Sequence, residues 1–353
     1  IFKMNGKQLT QISKSMSYLL RHGAIKEKVP CRSDGFILIK DVLNWINQGA
    51  NPDEMVIYKN IESIVDSDKK GRYTIKEINK RIYIRANQGH SFDVLLETIP
   101  ITMENVDNFG TILHGTFTDF RDGINQCGLK KMSRQHIHMT SLSNPECFKL
   151  LRPDVTMFVM VDIKKAIQDS IEFCMSTNNV ILSEGNANGC IPRQYLTFLE
   201  RVKSPCSGVL VVAHDENSIP YLALVRTPKN YWSFPKGKKN KHEMSLGTAI
   251  RELEEETGIK SNELNFIELP PYFENSNNEY VASTYYTAFY NKLINSSNLS
   301  LMPEDPGELT ESKWIPLDMV VNWKDSDKNG YLRNRRIDIG KRVQTDLINR
   351  KLI

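Results

Sequence analysis

The sequence predicts a multidomain α+β protein, and three patterns carry that prediction. Amphipathic helices at the start give way to two short strands. A run of short strands separated by loops comes next, and a strongly acidic helix then sits among longer apolar strands. The chain has 353 residues, room for about two domains of ~150 residues each. With 40% hydrophobic and 25% charged residues, wholesale disorder and a fibrous repeat are excluded.

Leu9, Ile12, Met16, Leu19 and Leu20 recur at helical spacing, so a first helix runs over Leu9–Leu20 with Gly23 as its stop. Helices over Ile39–Gln48 and Asp53–Asp66 lead into strands Arg72–Ile75 and Ile82–Ala86. Helices closed by a short hairpin read as a winged-helix-like lobe, residues 1–97. From Thr98 the pattern changes to short strands at Thr111–Gly115, His136–Thr140, Thr156–Asp162 and Val180–Leu182, a β-rich lobe over residues 98–203. A helix-like Tyr195–Val202 precedes Ser204-Pro205-Cys206-Ser207-Gly208, the best boundary, after which a last domain, residues 208–353, opens with the strand-like Val209–Ala213. Asn295–Ser300 is polar enough for a surface loop.

No apolar run approaches the ~20 residues of a membrane span; Thr156–Val161 and Gly208–Ala213 are strand-sized, so no membrane partner is expected. The opening Ile1-Phe2-Lys3-Met4 lacks the pattern of a secretion signal. Cys31, Cys127, Cys147, Cys174, Cys190 and Cys206 are scattered without a C-x-x-C pair, which speaks against a disulfide framework or structural zinc and for reduced thiols in cytoplasm or nucleus. Residues 1–203 hold 27 Lys+Arg against 22 Asp+Glu, and residues 204–353 hold 19 against 20. The mild excess in the first part suits a polyanionic partner.

The strongest signal is Gly237-x5-Glu243-x7-Arg251-Glu252-Leu253-Glu254-Glu255-Glu256-Thr257-Gly258-Ile259. Ser245–Glu256 can form one helix, closed by Gly258 in the left-handed conformation. On it Glu252, Glu255 and Glu256 stand at i, i+3 and i+4, so their carboxylates share a face. Exposed like charges repel there by roughly a few tenths of a kcal/mol per pair. A hard divalent cation removes that penalty, and Mg²⁺ takes oxygen ligands together with the oxygens of a phosphate substrate. A lone E-x-x-E-E is more often a solvated acidic face; the full glycine, arginine and glutamate spacing reverses that reading. It resembles the signature of the Nudix hydrolase family, complete over Gly237–Ile259, and strands Val209–Ala213, Tyr221–Val225, Tyr280–Tyr290 and Lys313–Pro316 fit that family's α/β/α sandwich. The resemblance implies hydrolysis of a nucleoside diphosphate linked to another group, with Mg²⁺ or Mn²⁺ on Glu252, Glu255 and Glu256, Arg251 orienting a glutamate, and Glu243 supporting the site. Trp232-Ser-Phe-Pro-Lys-Gly237 resembles the stretch before the signature in mRNA-decapping and dinucleotide-polyphosphate members, so cap or dinucleotide-polyphosphate hydrolysis is the alternative.

In the first part, Leu19-Leu20-Arg21-His22-Gly23-Ala24 places two cationic groups at a helix C-terminus, where they also satisfy the dipole and the last carbonyls. Asp68-Lys69-Lys70-Gly71-Arg72-Tyr73 is a basic turn entering a strand, and Arg85–Ser91 is denser in polar groups than a strand exit needs. Met132–Thr140 alternates strictly, so Arg134, His136 and His138 share a strand face. Two histidines without a third ligand make a poor metal site. Together, in order over roughly Leu9–Tyr195, these blocks resemble the tRNA 2′-phosphotransferase family. The matching pieces are L-L-R-H-G-A, D-K-x-G-R, I-R-A-N-Q-G-H-S, L-H-G-T and M-x-R-x-H-I-H, with Asp34-Gly35-Phe36 and Ile171–Leu182 adding to them and Ser170 standing where that family has glycine.

The resemblance implies an ADP-ribosyltransferase-like fold for the β-rich lobe and removal of an internal 2′-phosphate from spliced RNA with NAD⁺ as substrate. Nicotinamide and ADP-ribose 1″,2″-cyclic phosphate are the by-products. It assigns catalysis to Arg21, His22, Arg72 and Arg134, and NAD binding to His114, Gly115, Thr116, His138 and Val180. Arginine forks suit a phosphate nucleophile, and His22 can titrate near working pH. The absence of a glutamate at Val180 weighs against protein ADP-ribosylation. Implied partners are tRNA carrying an internal 2′-phosphate, NAD and a nucleoside-diphosphate-linked small molecule, handled by a monomer. A phosphotransferase releasing a pyrophosphate-containing by-product, next to a pyrophosphatase, suggests coupling on ADP-ribose-type substrates. A non-catalytic nucleotide or RNA reader in one domain is the rival class. The basic run Arg333-Asn-Arg-Arg336, with Lys341 and Arg342, is more often a solvated surface than a phosphate contact.

Overall fold

The structure, a computed structural model, describes residues 4–142, 144, 147–241, 243–275, 281–304, 309–326 and 328–353; Ile1–Lys3 and Tyr280, both named above, lie outside them. The chain divides into two compact units. One comprises Ile1–Asn105, Gly123–Thr140 and Ile163–Gln194, and the other Val106–Asp122, Ser141–Asp162 and Tyr195–Ile353.

In the first unit, Asn5 caps the helix Gly6–Tyr18 by a reciprocal pair of hydrogen bonds with Gln8, at 3.0 and 2.9 Å. The helix does not stop at Leu20. It widens into a π-helical turn, Leu19–Gly23, closed by the Ala24 N–H on Leu19 O at 2.9 Å. Ile12, Met16, Leu19 and Leu20 are buried with Ile61, Ile64 and Ile84 in one core. The second predicted helix is Ile39–Ile46; the third begins later, at Tyr58, behind a 3₁₀ turn at Pro52–Glu54. A three-stranded antiparallel sheet comes next, in the order Ile37–Leu38, Arg81–Ala86, Tyr73–Ile78. Asn79 and Lys80, both at positive φ, make the two-residue hairpin turn that matches strand twist. A second antiparallel group orders Ile137–Ser141, all but its last residue in this unit, with Ile181–Ser183, Phe173–Ser176 and Thr98–Ile101.

In the second unit, Ile112–Thr116 and Leu196–Glu200 flank Met157–Val161, all antiparallel. The helix-like reading of Tyr195–Val202 is therefore corrected to a strand. Leu196, Phe198 and Leu199 are all buried, so the apolar run lacks the alternation that marks a half-exposed strand. Among the described residues, seven further strands join the parallel pair Cys206–His214 and Val281–Tyr290 in one nine-stranded sheet. Alternate residues along Cys206–His214 enter opposite cores. Val209, Val211 and Ala213 pack with Ala249 and Leu253 of the helix Ser245–Thr257, while Leu210 and Val212 pack with Ile339, Val343 and Leu347 of the helix Asn334–Asn349. Helices thus cover both faces of the sheet. The first of these cores also contains Leu113, Phe158, Met160 and Leu199, from the three-stranded group. Ser204 is no loose linker residue: its buried hydroxyl donates to Cys206 O at 2.7 Å. Among the described residues no helix is long and apolar enough to cross a membrane, and all six cysteines are free.

Candidate functional sites

Arg21 and His22 lie on the π-helical turn, a distortion that recurs at functional sites. Arg72 immediately precedes the strand Tyr73–Ile78. Its backbone N–H and Nε donate to the Asp68 carboxylate at 2.5 and 2.9 Å, and its guanidinium lies 5.5 Å from the Tyr73 ring centre. Asn87 Nδ2 donates to Gly71 O at 2.7 Å and Asn178 Nδ2 to Lys70 O at 3.1 Å, so the Asp68–Arg72 turn is held from two directions. Arg134 and His136 do not share a strand face with His138. The strand begins only at Ile137, because Met132 adopts positive φ and Arg134 N–H turns back to Lys131 O at 3.2 Å.

Arg21 is the electrostatic neighbour of both Arg72 and Arg134, and His22 that of Arg21 and Arg134. Burial holds the Arg21 guanidinium below the usual arginine value, with Arg134 and Arg72 adding to the shift and Tyr73 and Asp68 opposing it. The His22 imidazole is lowered by burial first, then by Arg134 and Arg21. Its Nδ1 lies 3.1 Å from Ser91 Oγ. Three guanidinium groups, with Asp68 already engaged by Arg72, form a cation-rich cluster whose natural complement is a multiply charged oxyanion.

The remaining predicted positions divide between the units. His138 lies opposite Leu182 in the first unit, and Val180, buried there, accepts at its carbonyl from Ser176 Oγ at 3.0 Å. His114, Gly115 and Thr116 lie on Ile112–Thr116 in the second unit, with His114 in register with Val159. A Cβ on Gly115 would meet Leu151 and Val155 at 3.2 and 3.1 Å, so those side chains occupy the space the missing one leaves.

Sequence reasoning singled out Arg85–Ser91 for its polar density but assigned none of it a role. In the structure Ser91 N–H donates to Arg21 O at 2.9 Å, and Gly89, at φ +90°, lies against the Arg21 side chain. His90 is 1% exposed, and its pKa is driven down to about 4 by burial, then by Arg21, Arg85, His136 and His22.

The acidic helix runs over Ser245–Thr257, and Gly258 ends it at φ +75°, its N–H donating to Glu254 O at 2.8 Å. Arg251 gathers the carboxylates. Its Nε reaches Glu243 at 3.0 Å, its Nη1 reaches Glu255 at 2.9 Å and Glu252 at 2.7 Å, and its Nη2 donates to Lys238 O at 3.0 Å. Burial opposes the charged form, yet the Glu243 and Glu252 carboxylates raise the arginine's pKa. Burial would raise Glu243, but hydrogen bonds from Arg251, the Asn240 N–H and Thr248 leave it lowered. Glu256 accepts the Lys236 N–H at 2.8 Å, yet burial, helped by Glu252 and Glu255, pushes its pKa up to about 7. A methyl group at Gly237 would overlap the Glu252 carboxylate, so any side chain there would move that carboxylate from its present place. A cavity of about 850 Å³ opens next to Arg251 and Glu255, lined also by Phe148, Lys149, Lys241 and Ile250.

The donor set fits a hard divalent cation: oxygen ligands only, on one helix face, with Glu252 and Glu256 raised by burial first and then by the neighbouring carboxylates. Among the described residues, however, no three His, Cys, Asp or Glu side chains have converged into an ion-holding group. Arg251 holds Glu252 and Glu255, and the Lys236 amide holds Glu256. Without a cation the arginine does the neutralising.

Residues 7–185 match the RNA 2′-phosphotransferase, Tpt1 / KptA family, and residues 205–335 match the NUDIX domain. The tRNA 2′-phosphotransferase 1 of Mus musculus is 35% identical over 190 residues, 52% of this chain and 74% of that protein. A Schizosaccharomyces pombe relative, provisionally named a tRNA 2′-phosphotransferase, is 34% identical over 197 residues, 54% of this chain; the chain spans about half, 51%, of that relative's length. A solved binary complex of an Ap4A hydrolase from C. elegans covers 41% of this chain and 98% of its own, at 18% identity and a TM-score of 0.32. The chain belongs to the RNA 2′-phosphotransferase family of the Tpt1 / KptA type and carries a Nudix domain behind it.

Proposed function

We propose that the chain removes the internal 2′-phosphate of spliced tRNA with NAD⁺ as substrate, and that its Nudix domain hydrolyses a pyrophosphate of the ADP-ribose or dinucleotide class. The clustering of Arg21, His22, Arg72 and Arg134 in one unit carries the first half of this reading. In the first step the RNA 2′-phosphate attacks the anomeric carbon of the nicotinamide ribose, forming a C–O bond as the C–N bond to nicotinamide breaks. In the second, the adjacent ribose hydroxyl attacks phosphorus, freeing RNA with a 2′-hydroxyl and leaving ADP-ribose 1″,2″-cyclic phosphate. Arg21, Arg72 and Arg134 grip the phosphate and stabilise the charge that builds on it. His22, whose pKa is lowered by burial and then by Arg134 and Arg21, takes or returns the proton. His114, Gly115, Thr116, His138 and Val180 are the positions assigned to NAD.

In the Nudix domain, Glu252, Glu255 and Glu256 would hold Mg²⁺ or Mn²⁺, which supplies Lewis-acid charge and an activated water. Arg251 then keeps Glu243 and releases part of its hold on the helix carboxylates. The chain thus comprises three functional pieces: an RNA-holding winged-helix-like lobe over 1–97, an ADP-ribosyltransferase-like NAD lobe over 98–203, and the hydrolase over 208–353. We place the protein, as a monomer without a membrane partner, in cytoplasm or nucleus.

One experiment tests both halves. The protein is mixed with NAD⁺ and a 2′-phosphorylated RNA, with and without Mg²⁺, and every small product is identified by mass spectrometry. Nicotinamide and the cyclic phosphate appear without metal, and AMP appears when Mg²⁺ is added. No nicotinamide release overturns the phosphotransfer. Hydrolysis of an added cap or dinucleotide polyphosphate, with no AMP from NAD⁺ or the ADP-ribose products, transfers the hydrolase to RNA-end chemistry, and no hydrolysis of any substrate leaves that domain a reader. Arg72→Ala should impair only the NAD-dependent reaction and Glu255→Gln only hydrolysis; equal loss of both contradicts independent sites.

A further inference from the structure

Resting on the phosphotransfer reading above, we propose that His90 is a positioning residue, fixing Arg21 relative to Arg134 and so shaping the cluster that grips the phosphate. The segment Gln88–Ser91 is bonded to both cationic stretches through its main chain. Ser91 N–H donates to Arg21 O at 2.9 Å, and His90 O accepts from Gln135 N–H at 2.8 Å, one residue from Arg134. Gly89 lets the Arg21 side chain lie 3.5 Å from where a Cβ would stand. Rotation of this segment would shift two of the three guanidinium groups at once.

The polar atoms around it are incompletely matched. Among the described residues neither His90 ring nitrogen has a hydrogen-bond partner, and Arg21 Nε, Arg85 Nε, Gln88 Oε1 and Gln135 Oε1 are buried and unpartnered as well. Native interiors rarely leave such groups unpaired, and those that do so cluster where function demands it. The set is self-complementary. Two guanidinium N–H groups lack acceptors, while a neutral imidazole has a lone pair to give and two carboxamide oxygens can accept. Burial and the cations Arg21 and Arg85, with His136 and His22, hold the ring neutral at physiological pH, so it offers an acceptor without adding charge to an already cationic cluster. The Phe92 ring, edge-on at 5.6 Å, and Gly35, whose Cβ position lies 3.5 Å from His90 Nε2, fix the imidazole plane. A ring 1% exposed does not reach RNA; it acts through Arg21, accepting from Nε–H as the guanidinium fork turns onto the phosphate.

The test compares His90→Phe, which keeps a ring without nitrogens, and His90→Gln, which keeps an acceptor, in the full chain. kcat and KM for NAD⁺-dependent 2′-phosphate removal are measured with Tm. Binding of a 2′-phosphorylated trinucleotide is followed by fluorescence anisotropy without NAD⁺. His90→Phe should lower kcat roughly 100-fold, the scale of a ~1 Å misplacement, with KM for NAD⁺ changed less than about threefold. His90→Gln should recover most of that loss at unchanged Tm. Activity of His90→Phe within about threefold of wild type overturns the proposal, as does a loss in both variants that tracks a fall in Tm. Should the wild type bind the trinucleotide yet turn over none, the phosphotransfer reading falls alone. Binding then decides the role of His90: about tenfold weaker binding by His90→Phe upholds it and equal binding overturns it. A wild type that neither binds nor reacts overturns both.

Discussion

Gly237 lacks a side chain because the Glu252 carboxylate occupies the space one would take. Gly237→Ala must therefore displace that carboxylate from the helix face it shares with Glu255 and Glu256. Hydrolysis of ADP-ribose should fall at least about 100-fold, while nicotinamide release from NAD⁺ with 2′-phosphorylated RNA stays at the wild-type rate. Retained hydrolysis would show that Glu252 is dispensable. His90 makes a prediction about pH. Its folded pKa of about 4 lies below its unfolded value near 6.5, so the unfolded chain binds the proton first as pH falls. The stability due to neutral burial is complete above pH ~6.5 and is lost progressively as pH drops toward ~4, by up to about 3 kcal/mol. Urea midpoints measured from pH 7 to 4 should fall more steeply for wild type than for His90→Gln; parallel curves would contradict the assignment.

Among the elements, the acidic helix was legible almost to the residue, since periodic apolar positions and a closing glycine coincide at Thr257 and Gly258. Others were not. Leu196–Glu200 is apolar on both faces, and such a run lacks the alternation that separates strand from helix. The π-helical turn at Leu19–Gly23 leaves no periodic signature, because one inserted residue only rotates the turns beyond it. Ser170, at φ +65°, adopts the left-handed conformation that glycine would hold without strain, which gives the departure from the family pattern a physical meaning. The basic run at Arg333–Arg336 reads as a solvated surface in sequence, yet Arg336 is buried at the start of Asn334–Asn349. It bonds Trp232 O at 2.8 Å and pairs with Glu274 at 3.3 Å. Glu274 also accepts from Tyr285. Arg336→Met leaves that carboxylate buried without its cation and should cost about 3–5 kcal/mol by denaturant unfolding, whereas joint replacement of Arg336 and Glu274 by Met should cost less. An equal cost for both would mean that Arg336 contributes only packing.

For the whole molecule, the family boundaries and the cores do not coincide. Leu113, Phe158, Met160 and Leu199 come from the stretch read as the NAD lobe, but they are buried with Val209, Ala249 and Leu253 of the hydrolase. Arg121 bonds Glu268 at 2.6 Å and Glu200 at 3.1 Å, and Thr111 Oγ1 donates to Ser261 O at 2.9 Å. Each covered apolar side chain contributes about 1.5–3 kcal/mol, against a net stability of only ~5–15 kcal/mol for a whole domain. A fragment of residues 204–353 should consequently melt well below the full chain and bind a hydrophobic dye; a well-dispersed amide spectrum at the full chain's Tm would refute the shared core. The motif residues were readable because their chemistry is local, whereas this sharing depends on which apolar faces meet, and no motif encodes that.

The intermixed core also bears on genetics. If Arg72 and Glu255 serve separate reactions, a full-length chain altered at Arg72 and a second altered at Glu255 should complement each other between two alleles. Splitting the gene near residue 204 should therefore separate Leu113, Phe158, Met160 and Leu199 from the core they share with Val209, Ala249 and Leu253, and the C-terminal product should be the less soluble of the two.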